Sequence, residues 1–109
     1  MTDATQPDTA QPDAAEPDLT VRHAPEHDRF EVVLGDDTAH LSYSRSGRRV
    51  ALNHTEVPEA FEGRGVGSRL ARAALDYARA EQLRVLPYCP FVRTYLERHP
   101  EYADLVARD

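Results

Sequence analysis

"HTEVPEAFEGRGVGSRLARAAL", residues 54–75, joins a strand-like run to a helical one, and three alternating glycines, Gly63, Gly65 and Gly67, mark the join. Downstream the apolar period becomes that of a helix. Val66, Leu70, Ala73, Ala74, Tyr77 and Ala80 fall on one stripe, with Arg69, Arg72, Asp76 and Arg79 opposite, which predicts an amphipathic helix over residues 65–82. Glycine at the mouth of a helix removes Cβ atoms where a ligand or another backbone would otherwise clash. The first N–H groups of the helix have no intrahelical acceptor, and with the macrodipole they favour an anion. Arg64, Arg69 and Arg72 can add charge around that point. The Gly-Lys-Ser/Thr of a nucleotide-binding P-loop is absent, and the turn follows strands that read as a meander, where a dinucleotide fingerprint would need a parallel unit.

Working back from Pro58, "RRVALNHTEV" alternates as a strand, with Val50, Leu52 and His54 on one face and Ala51, Asn53, Thr55 and Val57 on the other. "TAHLSYS" sets Ala39, Leu41 and Tyr43 against His40, Ser42 and Ser44, and in "RFEVVLG" Phe30, Val32 and Leu34 share a face. "LTVRHA" is a shorter candidate ahead of both. Gly35-Asp36-Asp37 and Ser46-Gly47 supply turns between neighbours, as an antiparallel meander requires. Beyond the long helix, "LRVLPY" is an apolar fifth strand, "PFVRTYLERH" a second helix with Pro90 at its first position, and "PEYADLVAR" a last helical piece. The order predicts an α+β fold: a mixed, mainly antiparallel sheet of about five strands with helices packed on it.

At the other end, "TQPDTAQPDAAEPD" repeats Pro-Asp every five residues without a large apolar side chain. Residues 1–18 are therefore expected to be a disordered acidic tail, and residues 19–109 a single domain. The formal charge is −6, but Asp3, Asp8, Asp13, Glu16 and Asp18 account for five of the 19 acids, leaving 14 against 13 bases, all arginine. A domain so nearly neutral is not expected to bind nucleic acid. One cysteine, Cys89, excludes an intrachain disulfide and a cysteine-rich zinc site, and the five histidines lack the HExxH spacing, so no metal is expected. Without a long apolar run or a leader-like start, neither a membrane span nor a signal peptide is expected, and the cytoplasm is the expected compartment.

Meander, glycine turn, helix, strand and second helix in that order resemble the GNAT acetyltransferase superfamily over residues 28–105. Its signature, Gln or Arg, two residues, Gly, one residue, Gly or Ala, is met by Glu62-Gly63-Arg64-Gly65-Val66-Gly67 with an acid at the first position. "HTEVPEAFEGRGVGSRL" followed by "VLPYCPFVRTYLERHPEY" is similar to a very small single-domain subgroup in which an EG-x-G-x-G turn and a Pro-x-Cys-Pro segment recur together. The resemblance implies acetyl-CoA as co-substrate. Its pyrophosphate would rest on the backbone of Gly63, Arg64, Gly65, Val66, Gly67 and Ser68, and its pantetheine arm along the splayed end of the fourth strand at Glu56 and Val57.

Acetyl transfer needs a neutral amine, stabilisation of the thioester oxyanion and an acid for the leaving thiolate. Cys89 precedes Pro90 and so is expected at the cap of the second helix, where the helix terminus favours a thiolate. His54 lies on the neighbouring strand, and the resemblance implies that these two strands part around the thioester. Two routes stay open: an acetyl-Cys89 intermediate with His54 as base, or direct transfer with His54 or a water as base and Cys89 or Tyr95 as acid. Tyr95 falls one position short of the superfamily's usual tyrosine. His23, His27 and His40 are expected at the surface, and His99 at a helix junction. The shortness of the chain predicts an acceptor side that is either open, and then suited to a protruding amine, or completed by another subunit, in a monomer or homodimer. The expected function is thus an acetyl-CoA-dependent N-acetyltransferase on an amine acceptor, or alternatively a CoA-binding module with little or no catalysis.

Overall fold

A computed structural model describes residues 19–61 and 63–107; the expected acidic tail at 1–18 and Glu62 of the glycine motif lie outside them. Five strands form one sheet in chain order: β1 (Arg22–Ala24), β2 (Arg29–Leu34), β3 (Asp37–Ser46), β4 (Arg49–Glu56) and β5 (Arg84–Pro87). The first four pair antiparallel, and β5 joins β4 in parallel after a crossover through helix α1 (Val66–Ala80). Helix α2 (Pro90–Arg98) and a 3-10 segment, Pro100–Leu105, complete the order. The predicted α+β architecture is what forms. Past that segment, Val106 makes a one-residue parallel bridge to Val85 and the Ala107 N–H donates to the Val85 carbonyl at 2.8 Å, which covers the outer edge of β5.

The core lies between one face of the sheet and the two helices. Phe30, Val32, Ala39, Leu41, Tyr43, Val50 and Leu52 enter it from the strands, as the alternation predicts, and Leu70, Ala71, Ala74 and Leu75 from α1. Each large side chain so buried contributes roughly 1.5–3 kcal/mol. The apolar stripe of α1 is wider than the sequence suggests. Ala71, Leu75 and Ala78 are buried whereas Ala80 is exposed, because α1 packs against α2 and the last 3-10 segment as well as the sheet.

One strand departs from simple alternation, and the departure matters for the site. Tyr43 pairs with Leu52 and Ser42 with His54, so Asn53 is an extra residue, a β-bulge in β4. Past the bulge the faces exchange. Thr55 stands opposite the buried Leu41 on the core side, whereas His54, expected beside Val50 and Leu52, turns to the outer face. That outer face carries Val33, Ser44, Asn53, His54 and Glu56, all exposed. It also buries Glu31 between Arg29 (2.6 Å) and Arg22 (3.3 Å), a charge tolerable under cover because two guanidiniums answer it.

Candidate functional site

Strand β4 outruns its neighbour. Its pairing with β5 begins at Arg49↔Arg84 and stops at Leu52↔Pro87. Beyond this, Pro87 has no N–H, the Tyr88 N–H folds back to the Leu86 carbonyl at 3.0 Å, and the Cys89 N–H takes the Leu52 carbonyl at 2.9 Å. Arg93 fixes this diversion from α2, donating through Nη1 to the carbonyls of Pro87 (3.0 Å) and Tyr88 (2.8 Å). The edge of Asn53–Glu56 that would continue toward β5 therefore has no strand against it among the described residues. An extended molecule with donors and acceptors can lie there as a further strand would.

The glycine turn opens beside this edge. After Pro58 a 3-10 turn, Glu59–Phe61, buries Phe61 and reverses the chain. Gly63 and Gly65 then adopt φ of 79° and 70°, a region that L-residues with a Cβ avoid, and a Cβ on either would meet nothing within 4 Å. These two positions thus require glycine for their backbone shape. Gly67 requires it for another reason: a Cβ there would stand 2.7 Å from Cζ of Phe91, whose ring lies on the helix start. The clash expected for all three glycines was with a ligand or another backbone; at Gly67 it is with a side chain of the protein itself.

Helix α1 opens its bond ladder with Arg69 N–H to the Gly65 carbonyl at 3.1 Å, and no side chain caps it. Among the described residues no acceptor answers the N–H groups of Val66, Gly67 and Ser68. No acid stands in the first turn, and Arg64 and Arg69 are exposed beside it. Amides without an acceptor among the described residues, the positive end of the dipole and flanking guanidiniums fit a pyrophosphate. In chain order Glu56 ends β4, and Val57, Pro58 and the 3-10 turn at Glu59–Phe61 lie between it and the glycine turn.

Cys89 is the N-cap residue of α2, as expected, and is 2% exposed. Its Sγ lies 3.2 Å from Oγ1 of Thr55, a residue to which the strand reading gave no role. His54 is elsewhere: its side chain is 64% exposed on the outer face, Nε2 is 3.8 Å from Oε1 of Glu56, and its ring centroid is 6.1 Å from that of His40. The structure thus brings Cys89 to Thr55 rather than to His54, because the bulge at Asn53 exchanges which residue faces the thiol. Tyr95 is also remote from this point. It stacks on His99 at 4.0 Å, with Tyr102 at 6.3 Å, and burial pushes its phenol above the ordinary value.

Thr55, Phe91 and Arg93 are the neighbours that sequence reasoning missed. Only the bulge assigns Thr55 to the thiol, and "LNHT" holds no glycine or proline to announce it. Among the described residues no group of three or more His, Cys, Asp or Glu could hold a metal ion, and no helix is long and apolar enough to cross a membrane.

The family described as GCN5-related N-acetyl-transferase matches residues 29–105. Protein NATD1 from Mus musculus is 38% identical over 85 residues, 75% of this chain and 77% of that protein. Protein NATD1 from Homo sapiens is 42% identical over 82 residues, 69% and 73% of the two chains. In fold, the chain is similar to the solution NMR structure of a GCN5-like protein from Staphylococcus aureus, with a TM-score of 0.65 and 24% identity, covering 82% of this chain and 88% of that one. An open β4 edge, a glycine-led anion cradle and a match over the whole described sheet from β2 onward agree: this chain belongs to the GCN5-related N-acetyltransferase family.

Proposed function

We propose that the protein is an acetyl-CoA-dependent N-acetyltransferase acting on an amine acceptor. The observation that carries this reading is a pair of backbone surfaces without partners among the described residues, the β4 edge past Leu52 and the N–H groups at the start of α1. Acetyl-CoA supplies the acyl group as a thioester. The amides of Val66, Gly67 and Ser68 bind its pyrophosphate, with Arg64 and Arg69 adding charge, and the backbone at Glu56 and Val57 orients the pantetheine arm. On the core side Thr55 holds the Cys89 thiol, which is placed to give a proton to a leaving sulfur. On the outer face His54, with Nε2 3.8 Å from Oε1 of Glu56, is the imidazole that accepts a proton from the acceptor ammonium. Because His54 and Cys89 occupy different faces, direct transfer suits this geometry better than an acetyl-cysteine formed with His54 as base. A CoA-binding module with little turnover is the second reading, favoured by the burial of the thiol.

Calorimetric titration with acetyl-CoA, wild type against Ser68→Pro, tests the cradle. Proline is tolerated in the first turn of a helix and deletes one N–H donor without adding charge. Saturable binding that weakens about tenfold or more in a folded variant is expected, since a hydrogen bond to a charged group is worth ~1.5–3 kcal/mol. A folded wild type that does not bind at about millimolar acetyl-CoA, a free energy near −4 kcal/mol, overturns both readings. Binding without amine-dependent release of CoA leaves the module reading alone.

A further inference from the structure

We propose that His40 is a positioning residue for His54, and that the two imidazoles with Glu56 form one proton-accepting patch on the outer face of the sheet. This rests on the acetyltransferase reading only in the use made of the proton; the patch itself rests on register and distance. His40 of β3 pairs directly with Glu56 of β4, and Ser42, two residues on along the same face, pairs with His54. The three side chains therefore stand together across two strands. Between the rings the centroid distance is 6.1 Å at an interplanar angle of 58°, and Glu56 Oε1 lies 3.8 Å from His54 Nε2. Ser42 donates through Oγ to the His54 carbonyl at 3.4 Å, which fastens the backbone that carries the ring. His54 is thus flanked by a carboxylate and a second imidazole while remaining open to solvent, where an acceptor would arrive.

The groups facing His40 are Arg29 and Glu31 of β2 and His54 and Glu56 of β4. Burial first, then Arg29, hold its imidazole below the ordinary value against the pull of Glu56 and Glu31, so it takes its proton less readily than a free imidazole. A neutral ring beside His54 fills the space on that side without placing a second positive charge against the proton being received. In the transfer, the acceptor ammonium loses one proton to His54, its nitrogen forms the bond to the acyl carbon as the carbon–sulfur bond breaks, and the sulfur leaves with the electron pair. The second amine proton balances that thiolate, directly or by way of Cys89, and the proton on His54 passes to solvent.

The test combines NMR titration of the histidine ring resonances, which needs no cofactor, with the pH profile of amine-dependent CoA release for wild type and His40→Gln. In the wild-type spectra the His54 ring signals should bend at the pH where His40 takes its proton, and the bend should vanish in His40→Gln. In the rate profile kcat of His40→Gln should fall about tenfold with the acceptor KM unchanged, and its acid limb should move. Ring signals of His54 that ignore the His40 step in the wild type overturn the proposal, as does a His40→Gln profile superimposable on that of the wild type. A chain that releases no CoA sinks the acetyltransferase reading instead, and the wild-type bend then decides the His40–His54 patch alone.

Discussion

The two ends of helix α1 are built on opposite plans. Around its C-terminal end side chains pair with one another. Tyr77 lies among His23, Phe30 and Tyr43 at ring distances of 4.8, 5.7 and 5.9 Å, and Arg45 donates to the Tyr77 hydroxyl at 2.8 Å and to Glu81 at 3.2 Å. His23 stacks on Phe30 at 4.3 Å and bonds the Tyr43 hydroxyl at 2.7 Å. Around the N-terminal end the helix amides have no acceptor among the described residues, and Phe91 leaves 41% of its surface exposed. One end is closed by side chains; the other is left for something to close. A single helix thus divides its work between stability and binding, and substitutions at the two ends should fail in different ways.

The largest contrast is between two phenylalanines. Phe30 is buried in the aromatic cluster, and Phe30→Ala should cost about 3–5 kcal/mol in urea unfolding, with no effect on acetyl-CoA affinity in whatever fraction stays folded. Phe91→Ala removes a half-exposed ring from the helix start and should cost only about 1 kcal/mol, while changing acetyl-CoA affinity. Equal stability losses, or an affinity that follows Phe30 and ignores Phe91, would dissolve the distinction between the ends.

A methyl group at Gly67 sharpens the same contrast. In Gly67→Ala the added carbon would lie 2.7 Å from Phe91 Cζ, so the ring must move away. Crowding of this kind costs about 1–3 kcal/mol, and the better helix propensity of alanine returns up to about 1 kcal/mol. A net loss near 1 kcal/mol is expected, with shifted Phe91 ring resonances. Unmoved resonances and unchanged stability would mean that the ring does not rest on the helix start.

These cases also show where the sequence was legible. Alternation in β2 and β3 reports burial directly, because it depends on one residue's neighbours in its own element; the period of α1 gives the helix and Val66, Leu70 and Ala74 of its buried stripe, but not Ala71, Leu75 and Ala78, which later elements cover. The turn ahead of α1 was legible too, since Gly63 and Gly65 take a positive φ that glycine alone adopts freely. What failed were relations between elements. His54 could be given the wrong face because a bulge leaves no mark in "LNHT". His23 was expected at the surface, but β1 pairs it with Phe30 and folds it into the aromatic end. The reason for Gly67 depends on a residue 24 positions later that packs against it.

Next in size is Tyr102, which ties the last 3-10 segment to α1 by donating to Asp76 at 2.7 Å. Burial, then the bond to Asp76, push its phenol up from 10.0 to about 12. A phenol that ionises later in the folded chain stabilises it fully below the unfolded value and ceases to do so as the pH rises toward the folded one. Tyr102→Phe should cost about 1 kcal/mol at neutral pH and should remove part of the stability loss that the wild type shows above about pH 10. An unchanged alkaline limb would place that loss on other groups.

The smallest effect expected is at His23, and it tests whether the closed end is closed to charge. Burial holds the His23 imidazole below its ordinary 6.5, against the weaker pull of Glu26 and Glu81. The unfolded chain therefore takes up a proton at His23 before the folded one does. Stability from this residue is complete above 6.5 and is lost as the pH falls through that value toward the lower folded one. His40 titrates in the same direction from the outer face, so the wild-type slope carries both residues. Urea unfolding of wild type and His23→Gln between about pH 8 and about pH 5 separates them, the ordinary histidine value lying inside that window. Asp104, whose carboxyl Arg79 holds below 3.8, titrates outside it. The variant should be less stable at the alkaline end and should lose less on acidification, since it has no imidazole to protonate. Parallel slopes would mean that an imidazolium is accommodated beside Phe30 and Tyr77, and that the two ends of α1 differ in packing alone and not in their tolerance of charge.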